Sequence, residues 1–232
     1  MPSGLSAASQ LLLVVAADWA GRDARLHRYQ RESTAAPWAV GGPPLDVSLG
    51  RGGLAWAQEL VTPGMPPGPV KCEGDGCSPA GVFPVNALFG VTVPAGGAKL
   101  PWLHATPDLK CVDDAASRHY NRIVDRRHVD RIDWNSCEDM LRADGRYEMG
   151  AVIGCNVDPV VPGAGSCLFL HVWEAPGAPT AGCTALARDD MAALAGWLDG
   201  ARAPRLVQLP HAAYAELRAP WRLPELPALG LG

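Results

Sequence analysis

Eleven residues separate His171 from Cys183 in the stretch HVWEAPGAPTAGC. A cysteine attacks a carbonyl as its thiolate, so this chemistry needs a nearby imidazole to take the proton. It also needs a backbone N–H to meet the developing oxyanion. His171 lies in an apolar run, SCLFLHVW (166–173), that would hold its ring rigidly. The return segment contains Pro176, Gly177 and Pro179 and ends at Thr180-Ala181-Gly182-Cys183, where Gly182 permits close approach of a backbone or substrate. The amide of Thr184 is a candidate oxyanion donor. A plainer reading fits the same residues: the histidine is satisfied within a core, and the cysteine is half of a disulfide. Spacing alone leaves both open.

The elements that would position this pair are short strands. Residues 11–19 form an apolar run closed by Asp18 and Trp19, and 25–30 alternate as an exposed second strand of a hairpin. A loop with Pro63, Gly64, Pro66, Pro67, Gly68 and Pro69 is stiff and superficial. Residues 71–83 read as turns up to Val82 and Phe83, and 100–124 have no clear period. Ser136-Cys137-Glu138-Asp139 has capping-box form and predicts a short helix through Arg142. Strands are predicted over 147–155, 166–173 and 205–209. Met191, Leu194, Ala195 and Leu198 fall at helical spacing, with Asp189 and Asp190 in the first turn of a helix over 188–199. Neither a repeat nor a domain boundary is visible. The reading is one domain over 1–232, α+β and mainly β, with a core at about 11–210 and a Pro-rich tail at 210–232.

Composition narrows the function. The 26 Gly and 22 Pro favour a loop-rich β protein, and 48% hydrophobic with 19% charged residues is a globular balance. A net charge of −4 gives no electrostatic case for nucleic acid. No apolar run is long enough for a membrane span. Residues 11–17 (LLLVVAA) resemble the apolar part of an export signal. They lack a preceding cation and a small-residue cleavage site, so they read better as a first strand, with no signal peptide evident. Seven cysteines suit an exported protein with six pairable thiols and one reactive one, or equally a cytosolic protein with all of them reduced. Cys183 is expected to be the odd thiol, with Cys72–Cys77, Cys111–Cys167 and Cys137–Cys155 as three pairings among the many possible. There is no CxxC pair, and Cys72-x4-Cys77 lacks a second half, so no metal and no cofactor is expected.

The segment H-x(11)-TAGC resembles the His…Ser/Thr-x-Gly-Cys signature of L,D-transpeptidases, the YkuD-type catalytic domain of bacterial cell-wall enzymes. SPAGVF (78–83) is similar to that family's upstream Ser/Thr-Pro-x-Gly-x-Phe turn. CVDDAASRHYNRIVD (111–125), GSCLFLHVW (165–173) and PTAGCTAL (179–186) resemble a branch with a compact His-to-Cys loop. The likeness runs from about residue 11 to 210.

That resemblance implies a β-sandwich-like domain with one or two helices. It makes Cys183 the nucleophile, His171 its proton acceptor, and Gly182 with the Cys183 amide the oxyanion donors. Thr180 would shape the loop, while Tyr120, Asn121, Asn156 and Trp173 would line the substrate cleft. One departure is clear: where family members often carry His before the Gly, this chain has Ala181, leaving only a main-chain carbonyl there to orient His171. The implied partner is a peptidoglycan stem peptide, in the periplasm or cell envelope, handled by a monomer. Cys183 would form a thioester at an L-centre and a neighbouring stem amine would resolve it, giving a 3–3 link by default or a link from a position-1 donor. Two rivals remain: an L,D-carboxy- or endopeptidase resolved by water, and a non-catalytic wall-binding module whose Cys183 is inert to thiol reagents and carbapenems.

Overall fold

A strand reading Leu-Leu-Leu-Val has no polar face and must be covered on both sides. In the computed structural model, which describes residues 4–227, strand β1 (Gln10–Ala16) is flanked and buried in this way. It pairs antiparallel with β2 (Asp23–Gln30) and parallel with β14 (Arg205–Pro210). From β14 the sheet continues through β6 (Ser78–Gly90), β11 (Met149–Ile153), β12 (Phe169–Val172), β13 (Thr184–Leu186) and β4 (Leu45–Ser48), then returns to β2. The circuit is therefore a closed barrel, which leaves the main strands without open edges. The short strands β3 (Ala39–Val40), β5 (Leu54–Trp56) and β7 (Trp102–His104) extend it. A separate sheet, in the order β10 (Cys137–Asp139), β8 (Leu109–Val112), β9 (Ile123–Asp125), is formed by the middle of the chain.

Helix α1 (Arg188–Trp197) packs on β11 and β12, and buries Met191, Leu194 and Ala195 in the main apolar cluster. Leu170 and Leu186 belong to that cluster, whereas Phe169 and Cys183 belong to a second one with Phe89, Met140 and Tyr147. Period-two alternation thus gives β12 one face toward the main core and one toward the smaller cluster. A buried amide ties the front to the back. The Thr184 hydroxyl donates to Gln208 Oε1 at 2.6 Å, and Gln208 Nε2 donates to the Pro79 carbonyl at 3.0 Å.

The mainly β, two-helix class matches the sequence reading, but the sheet closes where a sandwich-like domain is implied by the resemblance. The β1–β2 pairing closes the ring. Residues 136–142 form no helix. Cys137–Asp139 pair with Val112–Lys110 instead, and Ser136 Oγ donates to Asp113 at 2.6 Å rather than capping a helix. Tertiary pairing here overrides a local signal. The supposed tail contains α2 (His211–Trp221), which covers β1 and β14 with Ala213, Leu217 and Trp221. Strand β6 begins at Ser78, earlier than its turn-rich lead-in predicts, and β2 buries Leu26, His27 and Tyr29 because it has partners on both sides.

Of the three expected cysteine pairs, only Cys111–Cys167 is bridged. Cys72, Cys77, Cys137 and Cys155 are free alongside Cys183, so Cys183 is not the single odd thiol. Cys72 is exposed while the Cys77 sulfur is buried against the Gly52 carbonyl at 3.3 Å, and Cys155 belongs to the main core, away from β10.

The bridge joins β8 to the residue two positions before β12, across a sequence separation of 56. Closing a loop of that length stabilises the fold by about 4 kcal/mol on the chain-entropy account. Urea unfolding of a Cys111→Ser/Cys167→Ser variant is expected to show a loss of that order, with Cys183 alkylated no more slowly than in the parent.

Candidate active site

Strand register brings the histidine and the cysteine together. β12 and β13 are parallel, with Leu170 opposite Thr184 and His171 opposite Ala185. Side chains alternate, so Phe169, His171, Cys183 and Ala185 share a face. The loop between the strands is pinned at its far end. Thr180 N–H donates to Leu49 O at 2.9 Å, and Arg51 N–H donates to Thr180 O at 2.8 Å. The Cys183 carbonyl accepts from Thr180 Oγ1 at 2.6 Å and from Ser78 Oγ at 2.8 Å. Gly182 has φ +148, and a Cβ there would lie 3.1 Å from the Cys77 carbonyl, so a side chain would be both strained and crowded.

His171 and Cys183 line a cavity of about 190 Å³ with Glu138, Arg142, Tyr147 and Trp173. A second cavity, of about 180 Å³, is lined by Cys183 together with Arg51, Lys71, Glu73, Asp113 and Gly182. Only Glu138, Ala181 and Cys183 line both.

The imidazole is a neutral base of fixed tautomer. Its Nδ1 lies 2.8 Å from the Val172 carbonyl, which has no proton to give, so Nδ1 carries the hydrogen and Nε2 keeps its lone pair. Burial is the main cause that pushes its pKa down to about 4. The Tyr147 ring meets it edge-on with centroids 5.2 Å apart. Burial, then the Glu138 carboxylate, pushes the Cys183 thiol up to about 12, against smaller opposing effects of the Phe169 amide, Lys71 and the Tyr147 hydroxyl. The thiol donates to the Cys167 carbonyl at 3.5 Å. The resting pair is thiol and imidazole, not thiolate and imidazolium. Such a pair can attack a carbonyl if proton transfer to Nε2 accompanies the attack.

Trp173 and Thr180 line the first cavity beside His171 and Cys183. The Gly182 N–H is occupied, donating to Thr180 Oγ1 at 3.0 Å, so of the two expected oxyanion donors only the Cys183 amide remains a candidate. Val172, not Ala181, supplies the carbonyl that orients His171. Tyr120, Asn121 and Asn156 do not line either cavity. The Asn121 amide donates to Cys155 O at 3.0 Å and accepts from Cys167 N–H at 3.0 Å. Asn156 donates to Val161 O and Gly165 O, both at 2.9 Å. The Tyr120 hydroxyl donates to Glu73 and accepts from Gly165 N–H at 3.1 Å. These three side chains build the loop that carries Cys167. The loop at 63–69 lines neither cavity, and it meets Trp56, whose indole N–H donates to Pro66 O at 2.9 Å.

Sequence reasoning passed over Glu138, Tyr147 and Ser78. Ser78 stood in a quoted motif, and its hydroxyl proves to hold the cysteine turn. Glu138 was hidden by the capping-box reading of its own segment.

Two outcomes are expected. Iodoacetamide should label Cys183 slowly at pH 7 and faster as pH rises toward 12, and Glu138→Gln, which removes a carboxylate beside the sulfur, should quicken labelling at a given pH. The second concerns stability. A base whose folded pKa is lowered binds fewer protons in the folded state, so stability falls as pH drops from the unfolded value of 6.5 toward about 4. Urea titrations at pH 7 and pH 4.5 should show His171→Gln losing roughly 2 to 3 kcal/mol less than wild type over that interval.

No family model matches this chain, and no curated protein or solved structure matches it either.

Proposed function

We propose that the chain is a cysteine acyltransferase acting on peptidoglycan stem peptides, with the fold and activity of an L,D-transpeptidase catalytic domain. The observation that carries this reading is that Cys183 lines two cavities, one of them shared with a neutral imidazole whose Nε2 is free. One cavity holds an acyl donor and the other an acceptor, which a hydrolase has no need of. The order of the motifs around residues 78–83, 111–125, 165–173 and 179–186 supports the same family.

In this mechanism Cys183 Sγ attacks the carbonyl of an L-centre while its proton passes to His171 Nε2. The Cys183 amide faces the oxyanion, and His171 returns the proton to the departing amine. The acyl group remains as a thioester, and an amine of a second stem displaces the sulfur. Peptide-bond energy is retained throughout, so neither cofactor nor nucleotide is required. The Cys111–Cys167 bridge suits an oxidising compartment, the periplasm or cell envelope. Among the described residues no helix is long and apolar enough to cross a membrane. The enzyme acts as a monomer in this reading.

Incubation with purified muropeptides followed by mass spectrometry is expected to show D-Ala release and a 3–3 dimer, both abolished by Cys183→Ala and reduced by at least about 100-fold in His171→Ala. Circular dichroism of both variants checks the fold. A fragment beginning at D-Glu would instead identify the position-1 donor. Monomers trimmed without dimers would identify the hydrolase, and an inert Cys183 the wall-binding module.

A further inference from the structure

The thioester account leaves the incoming amine without a partner. At neutral pH that amine enters as an ammonium and must lose a proton before it can attack. Glu138 is the one ionisable side chain besides Cys183 that lines both cavities. Strand β10 holds it opposite Cys111, and its carboxylate accepts from the Tyr147 hydroxyl, whose ring packs on His171. The charged and titratable groups that face it are Tyr147, Asp113, Arg142, Glu73 and the Cys183 thiol.

None of these supplies it with a free cation. Arg142 is committed to Asp144 at 2.5 Å, and in the second cavity Lys71 is held by Asp75 and the Cys77 carbonyl, each at 2.8 Å, while the other cation lining it, Arg51, is not among the groups that act on Glu138. Asp113 and Glu73 are held by hydroxyls, from Ser136 at 2.6 Å and from Ser166 at 2.7 Å. A largely buried carboxylate with only a hydroxyl for a partner is unfavourable until a cation arrives. A metal ion does not fit: among the described residues no three His, Cys, Asp or Glu side chains are grouped to hold one. A single ammonium does.

We propose that Glu138 binds the ammonium of the acceptor stem and takes its first proton, with the acceptor entering by the cavity of Lys71, Glu73 and Asp113. The donor then occupies the His171 cavity, because its leaving amine needs the imidazole. Protons and bonds balance as follows. The ammonium gives one proton to Glu138, and the free amine attacks the thioester carbon. The C–N bond forms, the C–S bond breaks with its electron pair on sulfur, and the second excess proton passes through His171 to regenerate the thiol. Glu138 releases its proton to solvent.

The inference rests on the thioester reading above, and the test separates the two steps. In single turnover with a tetrapeptide muropeptide, D-Ala release reports acylation and dimer formation reports attack by the amine. Glu138→Gln should release D-Ala at least as fast as wild type, because a negative charge beside the sulfur is gone. Dimer formation should fall by about 100-fold, with a raised KM for the acceptor and the thioester passing to water instead. Glu138→Asp should recover part of the loss. If circular dichroism shows that Glu138→Gln does not fold, Glu138→Asp carries the test through acceptor KM. Dimer formation at the wild-type rate and acceptor KM in the Gln variant overturns the proposal. So does equal loss of both steps, which would make Glu138 a support for Cys183 itself. A wild-type protein that releases no D-Ala strikes down the thioester reading together with this one.

Discussion

The parallel pairing of β12 with β13 is the constraint on which the site depends. Leu170 opposite Thr184 places His171 and Cys183 on one face, two positions out of step on neighbouring strands. A slip of one residue would turn one of them into the main core. Several contacts therefore guard that register. The Ser78 and Thr180 hydroxyls hold the Cys183 carbonyl, and Gln208 grips the Thr184 hydroxyl. Helix α1 covers the other side of β12. The disulfide anchors the approach to β12 from the small sheet. Ser78 and Gln208 are remote in sequence from the residues they hold, which is how a loop rich in small residues keeps Cys183 in place.

Burial sets the protonation of the cysteine and the histidine. The same desolvation that pushes the Cys183 thiol up keeps His171 unprotonated. A preformed ion pair would be costly in this apolar setting, among Phe89, Phe169 and Tyr147. The arrangement suits a reaction in which charge appears only on attack, when substrate carbonyl, backbone amide and imidazole are all in place. It also shields the thiol from oxidants, since the neutral form is the less reactive one.

Much of this was legible where the chain obeys a short-range rule. The unbroken apolar run at 11–14 announced a covered strand, and the i, i+3, i+4 spacing of Met191, Leu194 and Ala195 announced α1. The His-to-Cys spacing and the Gly before the Cys pointed to the pair that the fold does bring together. What failed was whatever depended on a distant partner. Ser136 and Glu138 imitate a helix start, yet they pair with β8 and reach Asp113 and Tyr147. The prolines around α2 concealed a helix held by Leu217 and Trp221 against β1 and β14. Asn121 and Asn156 carry the polar atoms of a cleft residue, but both have positive φ and spend those atoms on neighbouring loop carbonyls. Their role could be found only by following each hydrogen bond to its end.

The central claim is that Cys183 becomes covalently acylated by a stem peptide. It is tested most directly by incubating the protein with a purified stem tetrapeptide in acidic quench, then measuring intact mass and sequencing the modified peptide by tandem mass spectrometry. The account predicts one added acyl group, equal to the donor less its terminal residue and located on Cys183. An unmodified protein, or an adduct on another of the free thiols, would contradict it.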